Sequence, residues 1–155
     1  MTQLQNVLLK LANQLNKHNL TWALGASMLL YYHGIVSTMN DIDIMILEED
    51  EETVKKIIKQ LGNIKHHADN LKYVTKVFIE AEIDGVEIDV IGGFTIKTSD
   101  KIYYCPLQSD KITCIEIQGV TIYLDSLKLW EKYYYYMGRI ERSNLIKNHL
   151  TTTRI

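Results

Sequence analysis

Asp41 and Asp43 stand two residues apart in Asn40-Asp41-Ile42-Asp43-Ile44, and a third carboxylate, Asp89, stands in Glu87-Ile88-Asp89-Val90. In an extended chain, alternation puts residues i and i+2 on one face about 6.5 to 7 Å apart, near enough for flexible carboxylates to converge on a hard cation. A third carboxylate from a neighbouring strand would complete two cation sites about 4 Å apart, the arrangement used for in-line phosphoryl chemistry. Upstream, Leu24-Gly25-Ala26-Ser27 marks a change from a strand-like to a helix-like pattern. A glycine gives backbone room there, and the helix N-terminus and the Ser27 hydroxyl supply donors, so this junction can cradle the β and γ phosphates of a nucleotide. Each piece alone has a plain structural reading, a wetted strand face for the aspartates and a turn with a helix cap for the junction.

The elements that must position these residues can be read from periodicity. Leu4, Val7, Leu8, Leu11 and Leu15 recur at helical spacing over residues 3–17, which predicts an amphipathic opening helix. Thr21–Leu24 reads as a short strand and Met28–His33 as a helix ended by Gly34. From Asp41 to Leu47, Ile42, Ile44 and Ile46 alternate with Asp41, Asp43 and Met45, so both aspartates face one side of a strand. The acidic run Glu48–Glu52 lacks the alternating ligands and glycine of a calcium loop and reads as the start of a helix over Thr53–Leu61. Asp84-Gly85 predicts a hairpin between Tyr73–Ile83 and Val86–Ile91, and Gln118-Gly119 a second between Ile112–Ile117 and Val120–Leu124. Gly92–Asp110, with the sole proline Pro106, reads as irregular. Leu127–Met137 and Ile140–Leu150 read as closing helices, capped by Asp125 or Ser126 and separated at Gly138. The sum is an α+β fold, a mixed β-sheet flanked by helices with a helical C-terminal segment over about 125–150, in one domain spanning 1–155.

Composition narrows the function classes. The 155 residues are 46% apolar and 23% charged, the balance of one domain with a proper core. No apolar run reaches the roughly 20 residues of a membrane span, and no basic segment followed by an apolar block opens the chain, so a cytoplasmic protein is expected. Cys105 and Cys114 form no C-x-x-C pair and read as free thiols. A formal net charge of −2 argues against a broad electrostatic grip on duplex nucleic acid. His33 reads as a helix-end histidine, and His66-His67 as neighbours that point to opposite faces of a strand rather than a joint metal site. Lys132 and Arg139 read as surface ion pairs of the closing helices or as contacts to acceptor or phosphate. Tyr133–Tyr136 covers every face of a helix, so some of these rings should line a pocket or a partner surface.

Taken in order, Leu24-Gly25-Ala26-Ser27, Asn40-Asp41-Ile42-Asp43-Ile44 and Glu87-Ile88-Asp89-Val90 resemble the DNA polymerase β-type nucleotidyltransferase superfamily. The likeness runs over about residues 20–142 and is nearest to the short lincosamide and aminoglycoside nucleotidyltransferases. Asp89-Val90-Ile91-Gly92-Gly93-Phe94, and Leu129-Trp130 through Met137-Gly138-Arg139, resemble the segments downstream of the third carboxylate in that group. The resemblance implies magnesium-dependent transfer of a nucleoside monophosphate from a nucleoside triphosphate to an acceptor hydroxyl, with release of pyrophosphate. It implies two Mg2+ ions on Asp41, Asp43 and Asp89, triphosphate contacts at Gly25 and Ser27, and Asp89 as the group that orients or deprotonates the hydroxyl. The acceptor it implies is an antibiotic-like small molecule, a tRNA end or a protein side chain. A homodimer is the economical cover for so open a site. Two positions depart from the pattern: Ala26 stands where many relatives carry a second glycine, and Ser37 where many carry an arginine. Those departures motivate the rival readings, a nucleotide- or partner-binding module of toxin/antitoxin type and a tRNA-modifying toxin. The basic residues after Leu127, among them Lys128, Arg142, Lys147 and Arg154, bear on the last.

Overall fold

The opening helix, α1 (Gln3–Lys17), begins at a reciprocal cap: the Thr2 hydroxyl accepts from the Gln5 backbone N–H, and the Gln5 side chain accepts from the Thr2 N–H. Its apolar stripe, Val7, Leu8, Leu11, Ala12 and Leu15, is buried. The computed structural model describes residues 2–67 and 74–152. After α1 come β1 (Trp22–Leu24), α2 (Ala26–Tyr32), β2 (Ile42–Ile46), a 3-10 turn at Glu48–Asp50 and α3 (Glu51–Leu61). Next in the chain are β3 (Asn63–His67), β4 (Val77–Ile83), β5 (Val86–Gly92), β6 (Thr95–Lys97) and β7 (Ile102–Tyr104). A 3-10 turn at Ser109–Lys111, β8 (Thr113–Ile117), β9 (Val120–Leu124), α4 (Leu127–Tyr136) and α5 (Ile140–Thr152) complete the order.

One mixed sheet carries seven strands in the order β3-β4-β5-β2-β1-β9-β8, with β2 parallel to β5, β1 parallel to β9, and the other pairs antiparallel. Ile42, Ile44 and Ile46 of β2, Ile79, Ala81 and Ile83 of β4, and Val86, Ile88 and Val90 of β5 fill one face of it, the face on which α1 and α3 lie. The alternate residues, Asp43 and Met45, Glu80 and Phe78, Asp89 and Ile91, share the other face, which α2 and α4 cover in part. The expected α+β architecture with closing helices is therefore present. Among the described residues, no helix is long and apolar enough to cross a membrane.

Both hairpin turns have the backbone that their glycines promise: Asp84 and Gly85 have φ of 50° and 80°, and Gln118 and Gly119 have 48° and 79°. Two consecutive left-handed residues match the twist of the flanking strands. The strand expected from Tyr73 begins at Val77, and Tyr73 itself lies outside the described residues, as do Arg154 and the side chains of His66 and His67. Gly92–Asp110, expected to be irregular, instead contains β6 and β7, paired as a separate two-stranded sheet. Three-residue strands are too short to declare a period. β3 also escaped the pattern, because Asn63-Ile64-Lys65-His66-His67 is a polar edge strand with a bulge between Ile64 and His66. The four tyrosines of α4 divide: Tyr133 and Tyr134 are buried, Tyr136 is half-buried with its ring 3.7 Å from that of Tyr103 and nearly parallel, and Tyr135 is exposed. The chain itself thus packs three of the four rings.

Candidate active site

Parallel pairing of β2 and β5 sets Asp43 directly opposite Asp89, and Asp41 lies one residue before β2. Each of the three offers a carboxylate oxygen, and these atoms all lie within 4.8 Å of one another. Asp43 is buried, while Asp41 and Asp89 are half-buried. Burial, then the charges of Asp41 and Asp89, hold the Asp43 carboxyl well above the usual range. Asp89 is pushed up to about 6, chiefly by burial and then by Asp41, Glu80 and Glu87. Asp41 is raised by burial and by Glu87. Glu80 belongs to this field because β4 pairs it with Asp89. Three hard oxygen donors whose charged forms are all disfavoured fit a hard divalent cation, which would restore the charge that burial and repulsion oppose.

The β1–α2 junction is held against the same strands. The Gly25 N–H donates to the Asp43 carbonyl at 3.0 Å, and the Asp125 N–H donates to the Leu24 carbonyl at 3.0 Å. The room that Gly25 leaves goes to Trp130: a Cβ there would stand 2.5 Å from Trp130 Cζ2 and 3.1 Å from Met45 Sδ. The glycine thus lets α4 close on the sheet, a reason no local reading of the junction supplies. Trp130 is fixed in turn, its Nε1 donating to Asp125 Oδ2 at 3.0 Å and its indole stacking on Phe94 with centroids 5.7 Å apart. Asp125 and Ser126 share the capping of α4, Asp125 accepting from the Ser126 N–H and Ser126 Oγ from the Leu129 N–H.

Ser27 Oγ is buried and has no hydrogen-bond partner among the described residues. A buried polar group without a partner costs about 1–3 kcal/mol, so this hydroxyl is disposed to meet a ligand. Ala26, just before it, has φ of 52°. The left-handed region suits glycine and costs other residues about 1–2 kcal/mol, which gives a physical reason for a glycine in relatives at this position. Ala26→Gly should therefore raise stability by about 0.5–1 kcal/mol, read as a higher urea midpoint at unchanged slope. A lower midpoint would mean that the helix start rests on the alanine methyl.

Arginines enter the site from α5 and the residue before it. Arg139 and Arg142 lie with their guanidinium carbons 5.5 and 5.9 Å from the centre of the Tyr134 ring. Burial raises the Tyr134 hydroxyl, Arg142 and Arg139 lower it and Asp43 raises it, so both guanidiniums and the Asp43 carboxylate bear on the same ring. Arg139 also makes the surface pair expected of it, with Glu141 at 3.6 Å. Arg142 was legible only as a positive charge, since its partner Tyr134 sits within an undivided tyrosine run. His33 caps α2 and meets His149 of α5 edge-on, with centroids 6.1 Å apart.

No family model matches the chain, and no curated protein matches it by sequence. Solved structures do. A Thermotoga maritima protein assigned as a nucleotidyltransferase superposes with a TM-score of 0.73 at 22% identity, over 96% of this chain and 92% of that one. ANT(2'')-Ia, solved with adenylyl-2''-tobramycin, gives 0.66 at 17% identity over 99% and 92%. The lincosamide antibiotic adenylyltransferase LnuA, solved with lincomycin, gives 0.64 at 13% over 95% and 97%. What these proteins have in common with the present one is the path of the chain, and it is the nucleotidyltransferase fold.

Proposed function

We propose that this protein is a nucleotidyltransferase that moves a nucleoside monophosphate from a nucleoside triphosphate to a hydroxyl of a small acceptor. The observation that carries the reading is the convergence of Asp41, Asp43 and Asp89 within 4.8 Å. In the reaction the acceptor oxygen bonds to the α-phosphorus, the bond from that phosphorus to the bridging oxygen of the β-phosphate breaks, and pyrophosphate leaves. Asp89, paired beside Asp43 and raised to about 6, takes the hydroxyl proton and passes it to solvent. Asp41 and Asp43, with Asp89, would hold magnesium. Bound there, the metal would neutralise charge on the transferring phosphoryl group and lower the pKa of the attacking hydroxyl. Ser27 holds the triphosphate tail through its unpartnered hydroxyl, while Gly25, expected to make the same contact, has its N–H engaged by the Asp43 carbonyl and its open side filled by Trp130, and shapes the turn that presents Ser27. Arg139 and Arg142 offer the cationic contact that Ser37 lacks.

Two similar structures hold antibiotic-derived molecules, which favours a small-molecule acceptor over a tRNA end. The test is incubation with magnesium, each α-labelled triphosphate in turn and a panel of hydroxyl-bearing small molecules. Label should move onto one acceptor with equimolar pyrophosphate. Absence of magnesium-dependent triphosphate binding would turn the reading to a partner-binding module. The dimer belongs to the same reading: a second copy would cover Tyr135, Ile140 and Leu145, which are exposed, and light scattering at micromolar concentration reads it directly.

A further inference from the structure

On the acidic face of the sheet, one rung beyond the carboxylates, lies a cavity of about 300 Å³ walled by Val74, Phe78, Ile91, Phe94, Ile96 and Met137. We propose that this cavity is the acceptor subsite, and that it takes the aromatic or branched-aliphatic body of a small hydroxyl-bearing molecule. The proposal rests on the nucleotidyl-transfer reading above and adds to it the class of acceptor.

Its place is set by register. Asp89 and Ile91 alternate onto one face of β5, and β4 sets Glu80 opposite Asp89 and Phe78 opposite Ile91. The cavity wall therefore begins about 7 Å along the strand from the third carboxylate. Ser27 lies on the other side of the acids. β1 runs antiparallel to β2 with Leu24 opposite Ile44, so the chain leaving Gly25 heads toward the Asp41 end, whereas Ile91 pairs with Met45 at the opposite end. In-line transfer demands an attacking oxygen and a leaving pyrophosphate on opposite sides of the phosphorus. With the triphosphate tail at Ser27, the attacking hydroxyl must come from the side of Ile91 and Phe78.

The lining sets the chemistry. Its two threonine hydroxyls are already engaged, Thr75 Oγ1 with the Thr95 backbone and Thr95 Oγ1 with the Gly93 carbonyl, which leaves apolar side chains as the recognising surface. Val74 and Met137 are 40% and 37% exposed at its mouth, apolar surface that a ligand would remove from water. Among the described residues no carboxylate lines the wall, so it offers a polycationic amino-sugar no ion pair. Lys97 is the one charged group among the described residues of the lining, and it favours an acceptor with a neutral or anionic tail. The volume stands at the low end of the usual range for ligand pockets, about 300–1,000 Å³, which suits a compact body.

The probe is 4-fluorobenzyl alcohol, titrated into protein carrying carbon-13 methionine methyl groups. A saturable shift of the Met137 methyl with a low-millimolar midpoint is expected, with no shift of Met28, which is buried in α2. Val74→Trp should weaken this binding at least tenfold while leaving magnesium–ATP affinity unchanged. Met137→Trp, read from the fluorine signal of the probe, repeats the test from the opposite wall should the first variant fold poorly. An unsaturable Met137 shift, or equal affinity in a folded tryptophan variant, overturns the subsite. Failure of wild type to bind any of the four magnesium–ribonucleoside triphosphates overturns the nucleotidyl reading instead, whatever the probe does.

Discussion

Asp89→Asn should cut nucleotidyl transfer by roughly 10²–10⁴-fold, the usual contribution of a positioned general base, while magnesium–triphosphate affinity stays within about threefold of wild type. Asp43→Asn should weaken that affinity by tenfold or more and abolish turnover as well. The two differ because Asp43 is the buried member, in contact with Asp89 and within the field of Asp41, so any cation held at the cluster would depend on its charge. On the proposed reading Asp89, one step along β5 from the cavity wall at Ile91, serves the attacking hydroxyl. Calorimetry with a non-hydrolysable triphosphate, with and without magnesium, measures the binding without knowledge of the acceptor. Equal binding by wild type and both variants, or binding by wild type that ignores magnesium, would leave the carboxylates without a metal role.

The metal-free protein should lose stability as pH rises from about 4 through 6, and magnesium should remove most of that loss. Asp43 is raised well above its unfolded value and Asp89 to about 6, so between pH 4 and 6 the folded chain holds more protons than the unfolded one. An excess of protons on the folded side makes stability fall with rising pH. The part due to Asp89 is on the order of 1–2 kcal/mol, reduced from the full shift because its carboxylate is partly in water. At roughly 2–4 °C per kcal/mol for a chain of this size, chelator and magnesium melting curves should separate by several degrees at pH 7 and converge near pH 5. Asp125 and His33 also titrate away from their ordinary values, both mainly through burial, but neither belongs to the acidic cluster, so the difference between the curves isolates the triad. Superimposed curves at pH 7 would mean that no ion binds there.

The features legible in advance were those the chain writes locally. Alternation at Ile42, Ile44 and Ile46 fixed the face of Asp41 and Asp43, and Asp84-Gly85 fixed the turn that returns β5 beside β4. The neighbourhood of β2 and β5 came from the chemistry asked of their aspartates, and the register confirms it. The start of α2 was missed by two residues because Ala26 begins the helix from a left-handed backbone, a conformation that alanine does not advertise. Gly25 was legible as a glycine at a junction, but its partner is Trp130, far along the chain, and no local pattern encodes that contact. The same holds for Phe94 on Trp130 and for the arginines over Tyr134. The apolar cavity draws on β4, β5, β6, the end of α4 and the residues just before β4, and only the three-dimensional sheet order assembles it.

The parallel contact between β2 and β5 has a consequence for how the chain acquires its chemistry during synthesis. Asp41 and Asp43 leave the ribosome well before Asp89, and the β4–β5 hairpin can close on its own short turn, but the acidic cluster exists only after that hairpin has docked along β2. Such non-local pairing is the slow part of folding a mixed sheet. A slip of one residue in the docking would turn Asp89 to the opposite face and bury its charge beside Ile42 and Ile44 of β2. Nascent or misregistered chains therefore carry every residue of the acidic cluster without its arrangement, so an assembled cluster marks a completed sheet.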